Sequence, residues 1–312
     1  MYCIKIYFGF ILTICFSHCY CQIVPLSEDS KVSLITCGSG TEIYSLFGHT
    51  AIRIKDDKQH IDQVYNYGTF DFSTPNFYLK FVKGDLQYMA SSDAYIDFMN
   101  EYLYEHRNVY EQVLNFSQKQ RQQLFDELNR SLVSAERYYT YKFIDKNCTT
   151  MVLNILNKTL GKEVLQKTKD RDKTYREILF PYFHDHFYEN LGISIIFGKK
   201  VDLKGYRIFL PSELYKSTKA AIYNGHSLCI SNNTLLKFAS PKASLSWWNN
   251  VYTLSMILVL IVIANQNQVY MIYFLLCGLL GLFFCFAGFY SLHKELAYNY
   301  NALLFNFIIL HV

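Results

Sequence analysis

The sequence lacks any run of lysines or arginines. Its 30 basic and 26 acidic residues leave a formal net charge of +4 spread over 312 residues, and the mixed Lys/Asp/Arg stretch at 167–176 reads as a solvated surface connection. A polyanion-binding stripe is therefore missing, and no nucleic-acid partner is expected. Cys-x-x-Cys and Cys/His spacings are missing too, so no metal and no other cofactor is expected; His184 and His186, with one aspartate between them, have no further ligands nearby. Nine cysteines suggest a disulfide framework only until they are placed. Cys3, Cys15, Cys19 and Cys21 fall in the N-terminal segment and Cys277 and Cys285 in an apolar run, leaving Cys37, Cys148 and Cys229. Three allow one bridge, Cys37 with Cys229 for instance, and one free thiol.

Charge is also missing from two long stretches near the C-terminus. "VYTLSMILVLIVIA" (251–264) and "VYMIYFLLCGLLGLFFCFAGFYSL" (269–292) read as membrane helices joined by a short "NQNQ" loop, with "SWWNN" as an interfacial anchor before the first. A third run, "ALLFNFIILHV" from Ala302 to Val312, is about half of what a bilayer requires, so a truncated third span is expected. Residues 1–21 carry Lys5, an apolar centre from Ile6 to Phe16 and small residues at Cys19 and Cys21. They read as a signal peptide or signal anchor, and no lipobox precedes a cysteine. Three parts follow: the signal segment at 1–21, a domain outside the cytoplasmic membrane at 22–244, and a transmembrane region at 245–312.

Within the domain, "LFGHTAIRI" (46–54) sets His49 in a strand-like apolar run closed by the turn-like "KDDKQ". Alone it reads as a hydrogen-bonded structural histidine. Cys148 changes that. In "YKFIDKNCTTMVLNILNKTLG" the apolar residues Val152, Leu153, Ile155, Leu156 and Leu160 recur at helical spacing and Gly161 supplies the stop, so Cys148 lies in a first helical turn. Free N–H groups and the positive end of the helix dipole favour a thiolate there, and a nearby histidine would lower the thiol pKa further. Tyr44, just ahead of His49, is either a packed aromatic or a hydroxyl donor to an oxyanion. Arg107 either holds a phosphate headgroup or pairs with Glu101, Glu105 or Glu111. "FSQKQRQQLFDEL" reads as a capped scaffold helix, Ser117 and Gln120 forming the capping box.

The order, histidine on an early strand and cysteine at a later helix start, resembles circularly permuted papain-like enzymes such as the lecithin:retinol acyltransferase group. That resemblance gives Asn66, in "QVYNYGTFDF", the place of the third polar residue, with Asp62 and Asp71 as competitors. A closer resemblance runs through "LITCGSGTEIYSLFGHTAIRIKD", "VYNYGTFDFSTPNFYLKFVKGDLQY", "EHRNVYEQVLNFSQKQRQQL" and "YYTYKFIDKNCTT", and on into "TYREIL", "NLGISIIFGKKVD", "FLPSELY" and "SLHKELAYNYNALL". In order and spacing these segments look like the Lnb family of bacterial lipoprotein N-acyltransferases.

The resemblance implies an α+β chain, with a permuted papain-like (NlpC/LRAT-like) periplasmic domain followed by transmembrane helices in the inner membrane. It implies an enzyme in which Cys148 and His49 work as a pair, an acyl chain passing from a phospholipid through a Cys148 thioester to the α-amino group of a diacylglyceryl lipoprotein. A cysteine peptidase or amidase using the same pair, and an inactive membrane scaffold, are the alternatives.

Overall fold

The computed structural model describes residues 24–239 and 246–305. The signal segment at 1–21, the boundary near Ser244 and most of the third apolar run lie outside the described residues. Seven strands form one antiparallel sheet: β1 (Lys31–Cys37), β2 (His49–Asp56), β3 (Ile61–Thr69), β4 (Gln87–Ala94), β5 (Val109–Leu114), β6 (Tyr138–Thr140) and β9 (Cys229–Leu236), in the order β6-β4-β3-β2-β1-β5-β9. A small separate hairpin pairs β7 (Ile222–Tyr223) with β8 (His226–Ser227). The helices are α1 (Phe77–Lys83), α2 (Tyr95–Tyr104), α3 (Gln118–Val133), α4 (Cys148–Leu160), α5 (Tyr175–Leu179), α6 (Phe187–Ile196), α7 (Pro211–Ala220), α8 (Val251–Ala264), α9 (Asn267–Tyr290) and α10 (Asn301–Leu304).

The central strands are apolar on both sides because both faces of the sheet are covered. Val32 and Leu34 of β1, Ile52 and Ile54 of β2 and Tyr65 and Tyr67 of β3 pack with Leu124 and Leu128 of α3, Val152 and Leu156 of α4 and Leu214 of α7. Their neighbours Ile35, Cys37, Ala51 and Val64 face the other way, onto Phe98 and Tyr102 of α2. This is the period-two alternation of a pleated strand, with core on each side. Each fully buried leucine contributes about 1.5–3 kcal/mol relative to exposure. Helix α3 starts on the expected box, with Ser117 accepting from the Gln120 N–H and Gln120 reaching back to the Ser117 N–H.

One expectation is corrected. Cys37 pairs with Val109 at one end of β5 and Cys229 with Leu114 at the other, about 16 Å apart along the strand. A disulfide tolerates a Cα separation of up to about 7 Å, and both are free thiols. Of the two expected spans, α9 alone is long and apolar enough to cross a bilayer; α8, an apolar helix of 14 residues, covers about 21 Å of a hydrocarbon core about 30 Å thick.

The helical hairpin is tied to the domain at both ends. Ahead of α8, Tyr188 stacks on Trp248 with ring centroids 5.6 Å apart, and the Asn249 amide donates to Glu189 at 2.9 Å. Beyond α9 the chain folds back onto the domain. The Gly198 N–H donates to the Glu295 carbonyl at 2.7 Å, and Asn299 donates to the carbonyls of Ile195 and Ile196. Buried Glu295 meets Lys200 at 2.8 Å, and Lys200 also reaches Asp145 at 2.5 Å, three residues before Cys148.

Candidate active site

Asn147 builds the start of α4. Its Oδ1 accepts from the Thr150 N–H at 3.0 Å, its own N–H donates to Thr150 Oγ1 at 2.8 Å, and its amide nitrogen donates to the carbonyls of Phe143 and Phe209. Every polar atom of this buried side chain is used, which places Cys148 reproducibly as the first helical residue. Gly161 ends the helix at φ 72°, a left-handed conformation that suits glycine. Behind this start lies a second support. Buried Glu213 accepts from the N–H groups of Phe209 and Leu210 at the start of α7 and pairs with buried Lys167 at 2.5 Å.

His49 is the first residue of β2, so its ring stands at the end of the sheet where α4 begins. Thr50 and Thr149 join the two elements through their hydroxyls at 3.2 Å. His49 Nε2 lies 3.0 Å from Asn66 Oδ1, and Asn66 Nδ2 donates to Asp93 Oδ2 at 2.8 Å. A carboxylate only accepts, so Asp93 takes the amide nitrogen of Asn66 and leaves its oxygen for the ring. Nε2 therefore carries the proton, and Nδ1 is the ring nitrogen left for the sulfur.

The thiol and the ring change each other's titration. Burial pushes the Cys148 pKa up, but the charge and hydrogen bond of His49, the Thr50 N–H and the Thr149 hydroxyl outweigh it, and the thiol ends below its ordinary value. Burial alone would lower His49, but the charge and hydrogen bond of Cys148, with the bond to Asn66, hold it above its ordinary value. Both directions describe a thiolate–imidazolium pair, the form in which a cysteine is nucleophilic. Cys37 behaves oppositely, since burial pushes its thiol up to about 12 and leaves it unreactive.

The remaining residues singled out from sequence fall as follows. Tyr44 is 61% exposed, in a short turn before His49. Arg107 is buried; its Nε donates to the Gly38 carbonyl at 3.0 Å, its Nη1 meets Glu105 at 2.7 Å, and its guanidinium lies over the Tyr102 ring. Asp62 is held by Arg53 in two bonds of 2.7 Å, and Asp71 binds Ser73. Of the three competitors for the place beside His49, Asn66 is the one in contact.

Two residues escaped the sequence reading. Asp93 had no local signal; it reaches Asn66 only because β4 pairs with β3, Ser91 opposite Asn66. Tyr139 has a buried hydroxyl without a hydrogen-bond partner. Gly68 separates it from the thiol: a Cβ on Gly68 would lie 3.8 Å from Cys148 Cβ and 3.9 Å from the Tyr139 hydroxyl. An unpartnered donor there, with the free N–H groups of the first turn of α4, is placed to hold an oxyanion on a carbonyl attacked by Cys148. Among the described residues no group of His, Cys, Asp and Glu is placed to hold a metal.

A helix-borne thiol paired with a sheet-borne imidazole, in an α+β domain tied to a membrane-capable helix, defines the class: a membrane protein with a cysteine–histidine site. Residues 26–180 match the family model described as the Lnb N-terminal periplasmic domain, and the chain belongs to the Lnb family. The matched region contains His49, Asn66, Asp93, Tyr139 and Cys148. No curated protein and no solved structure matches the chain. The protein is thus a member of a family defined by a periplasmic domain, carrying among the described residues one helix able to cross a membrane.

Proposed function

We propose that this protein is a thiol acyltransferase of permuted papain-like architecture. It moves an acyl chain from a membrane glycerolipid ester, a phospholipid in the simplest case, to the α-amino group of a diacylglyceryl lipoprotein at the inner membrane. The observation that carries this reading is the chain of contacts Cys148–His49–Asn66 at a helix start, in a member of the Lnb family. Support comes also from α9, because an enzyme whose two substrates are lipids gains from being held at the bilayer.

The chemistry runs in two steps. The Cys148 thiolate attacks the ester carbonyl, and the first-turn N–H groups with the Tyr139 hydroxyl hold the tetrahedral oxyanion. The ester C–O bond breaks, His49 gives its Nδ1 proton to the leaving lyso-lipid oxygen, and a thioester and a neutral imidazole remain. In the second step the neutral α-amine attacks the thioester carbonyl. Its proton passes to His49, the C–S bond breaks, and the amide leaves with the thiolate–imidazolium pair restored. An α-amino group titrates near 8, so a usable fraction is neutral at neutral pH. The thioester makes the exchange feasible, since an unactivated ester resists a weakly nucleophilic amine.

Intact mass of the purified protein after incubation with phospholipid tests the first step: an acyl mass on Cys148, lost in Cys148→Ala, is expected. The N-terminal lipopeptide of a lipoprotein in cells relying on this chain tests the second. A fully acylated lipopeptide in cells carrying Cys148→Ala would end the proposal, and release of peptide without acyl transfer would replace it with a peptidase.

A further inference from the structure

Helix α1, "FYLKFVK", has no fully buried residue and rests on the domain through half-buried Phe77, which packs against the core. Tyr78, Leu79, Phe81 and Val82 are exposed, as is Phe72 just before it. A contiguous apolar patch of this kind marks an interaction surface.

Its position says which surface. Helix α9 has 24 residues, about 36 Å of helix against about 30 Å of hydrocarbon, so its ends reach the headgroup level. Directly past its last residue, Tyr290, the chain is fastened to the end of α1. Ser291 Oγ donates to the Val82 carbonyl at 2.8 Å, the Leu292 N–H to the Lys83 carbonyl at 2.7 Å, and His293 Nε2 to the Phe81 carbonyl at 2.9 Å. Gly84 makes the junction possible: at φ +77° it caps α1, and a Cβ there would come within 2.9 Å of the His293 ring. Helix α1 therefore lies at the depth where the span leaves the bilayer. Lys80, in its last turn, sets a cation at headgroup level, while Lys83 pairs with Asp85 at 2.5 Å and faces the Tyr290 ring at 5.8 Å.

We propose that α1, together with Phe72, is seated in the periplasmic leaflet of the membrane as an interfacial element. An aromatic wall leads from it toward the thiol: Phe72 to Phe70 at 4.9 Å, Phe70 to Tyr88 at 5.3 Å, and Tyr88 stacked on Tyr141 at 4.5 Å between centroids. Tyr141 and Cys148 pack against the same core cluster. In this proposal the wall guides a lipid toward Cys148 along the bilayer surface. The delivery of lipid rests on the acyl-transfer reading above; the seating of α1 does not.

The full chain is reconstituted in phosphatidylethanolamine/phosphatidylglycerol vesicles with a benzophenone amino acid replacing Leu79, or replacing exposed Val133 on α3 as a control. Lipid adducts at position 79 are expected at about five times the yield at 133 or more. Equal yields, or adducts at 79 to a second copy of the chain, overturn the seating. Leu79→Asp is expected to slow acyl transfer from vesicle lipid about tenfold while iodoacetamide alkylates Cys148 at the unchanged rate. Undiminished transfer in that variant overturns the delivery role. Lipid adducts at 79 in the benzophenone chain, together with no acyl transfer by the wild-type chain, would remove the acyl-transfer reading and leave the seating standing.

Discussion

Asn66 Oδ1 and His49 Nε2 lie 3.0 Å apart, and the bond assigns the histidine its tautomer. Asn66 can hold that orientation because it is buried and its other amide atom is taken by Asp93. Replacing Asn66 by Ala frees the ring to rotate and removes one of the bonds that raise its pKa. We expect kcat for acyl transfer to fall about 10²-fold or more with a small change in KM, measured as the rate of amide formation. An unaltered kcat would show that the ring is oriented by its packing instead.

Asp93 acts one bond further out. Asp93→Asn is nearly isosteric yet can donate as well as accept, so it no longer dictates which way the Asn66 amide faces. A loss of about tenfold in kcat is expected, with the pH profile displaced and the thermal unfolding midpoint unchanged, since Asp93 is exposed. Recovery of most of the rate in Asp93→Glu would support positioning, whereas identical rates for all three chains would remove Asp93 from the site.

The pair itself predicts a pH dependence. Cys148 ends below, and His49 above, its ordinary pKa, so both shifts favour the thiolate–imidazolium form over the neutral pair. Alkylation of Cys148 by iodoacetamide should persist below the pH at which an ordinary thiol, titrating near 8.5, stops reacting. His49→Ala should move the midpoint up toward that value. Acyl transfer should fall on the acid side as Cys148 gains its proton and on the alkaline side as His49 loses its own. A midpoint identical in wild type and His49→Ala would break the pairing.

Tyr139→Phe separates a chemical from a structural role. The hydroxyl has no hydrogen-bond partner and is buried, so its removal leaves nothing unsatisfied and stability should hold or rise slightly. If the hydroxyl holds the oxyanion, thioester formation should slow about 10²-fold, read as the rate of acyl-mass growth on Cys148. Unchanged acylation would leave the helix N–H groups as the whole of the oxyanion site.

Lys167 and Glu213 form a buried pair beneath the start of α7. Lys167→Met keeps the volume and strands the Glu213 carboxylate, although two backbone N–H groups still reach it. The expected loss is about 3 kcal/mol of unfolding free energy, seen as a shift in the chemical denaturation midpoint. Because Asn147 also leans on the Phe209 carbonyl, a parallel drop in Cys148 reactivity is expected.

How far the sequence reached depended on the range of the interaction. The thiol at a helix start, the glycine stop of α4, the capping box of α3 and the apolar run of α9 were all legible, because propensity, caps and hydropathy act within a few residues. His49 was legible as a strand residue but not as a partner of Cys148, which the order of the two residues and a family resemblance supplied. Three things were decided only by tertiary structure. Asn66, and neither Asp62 nor Asp71, meets His49, because cross-strand register turns Asp62 to Arg53 while Asp71 stays with Ser73. Cys37 and Cys229 stay apart, because β5 lies between their strands. The chain beyond α9 returns to fasten α1 and Lys200, because hydrogen bonds between segments 95 to 209 residues apart are selected by packing, which no local pattern encodes.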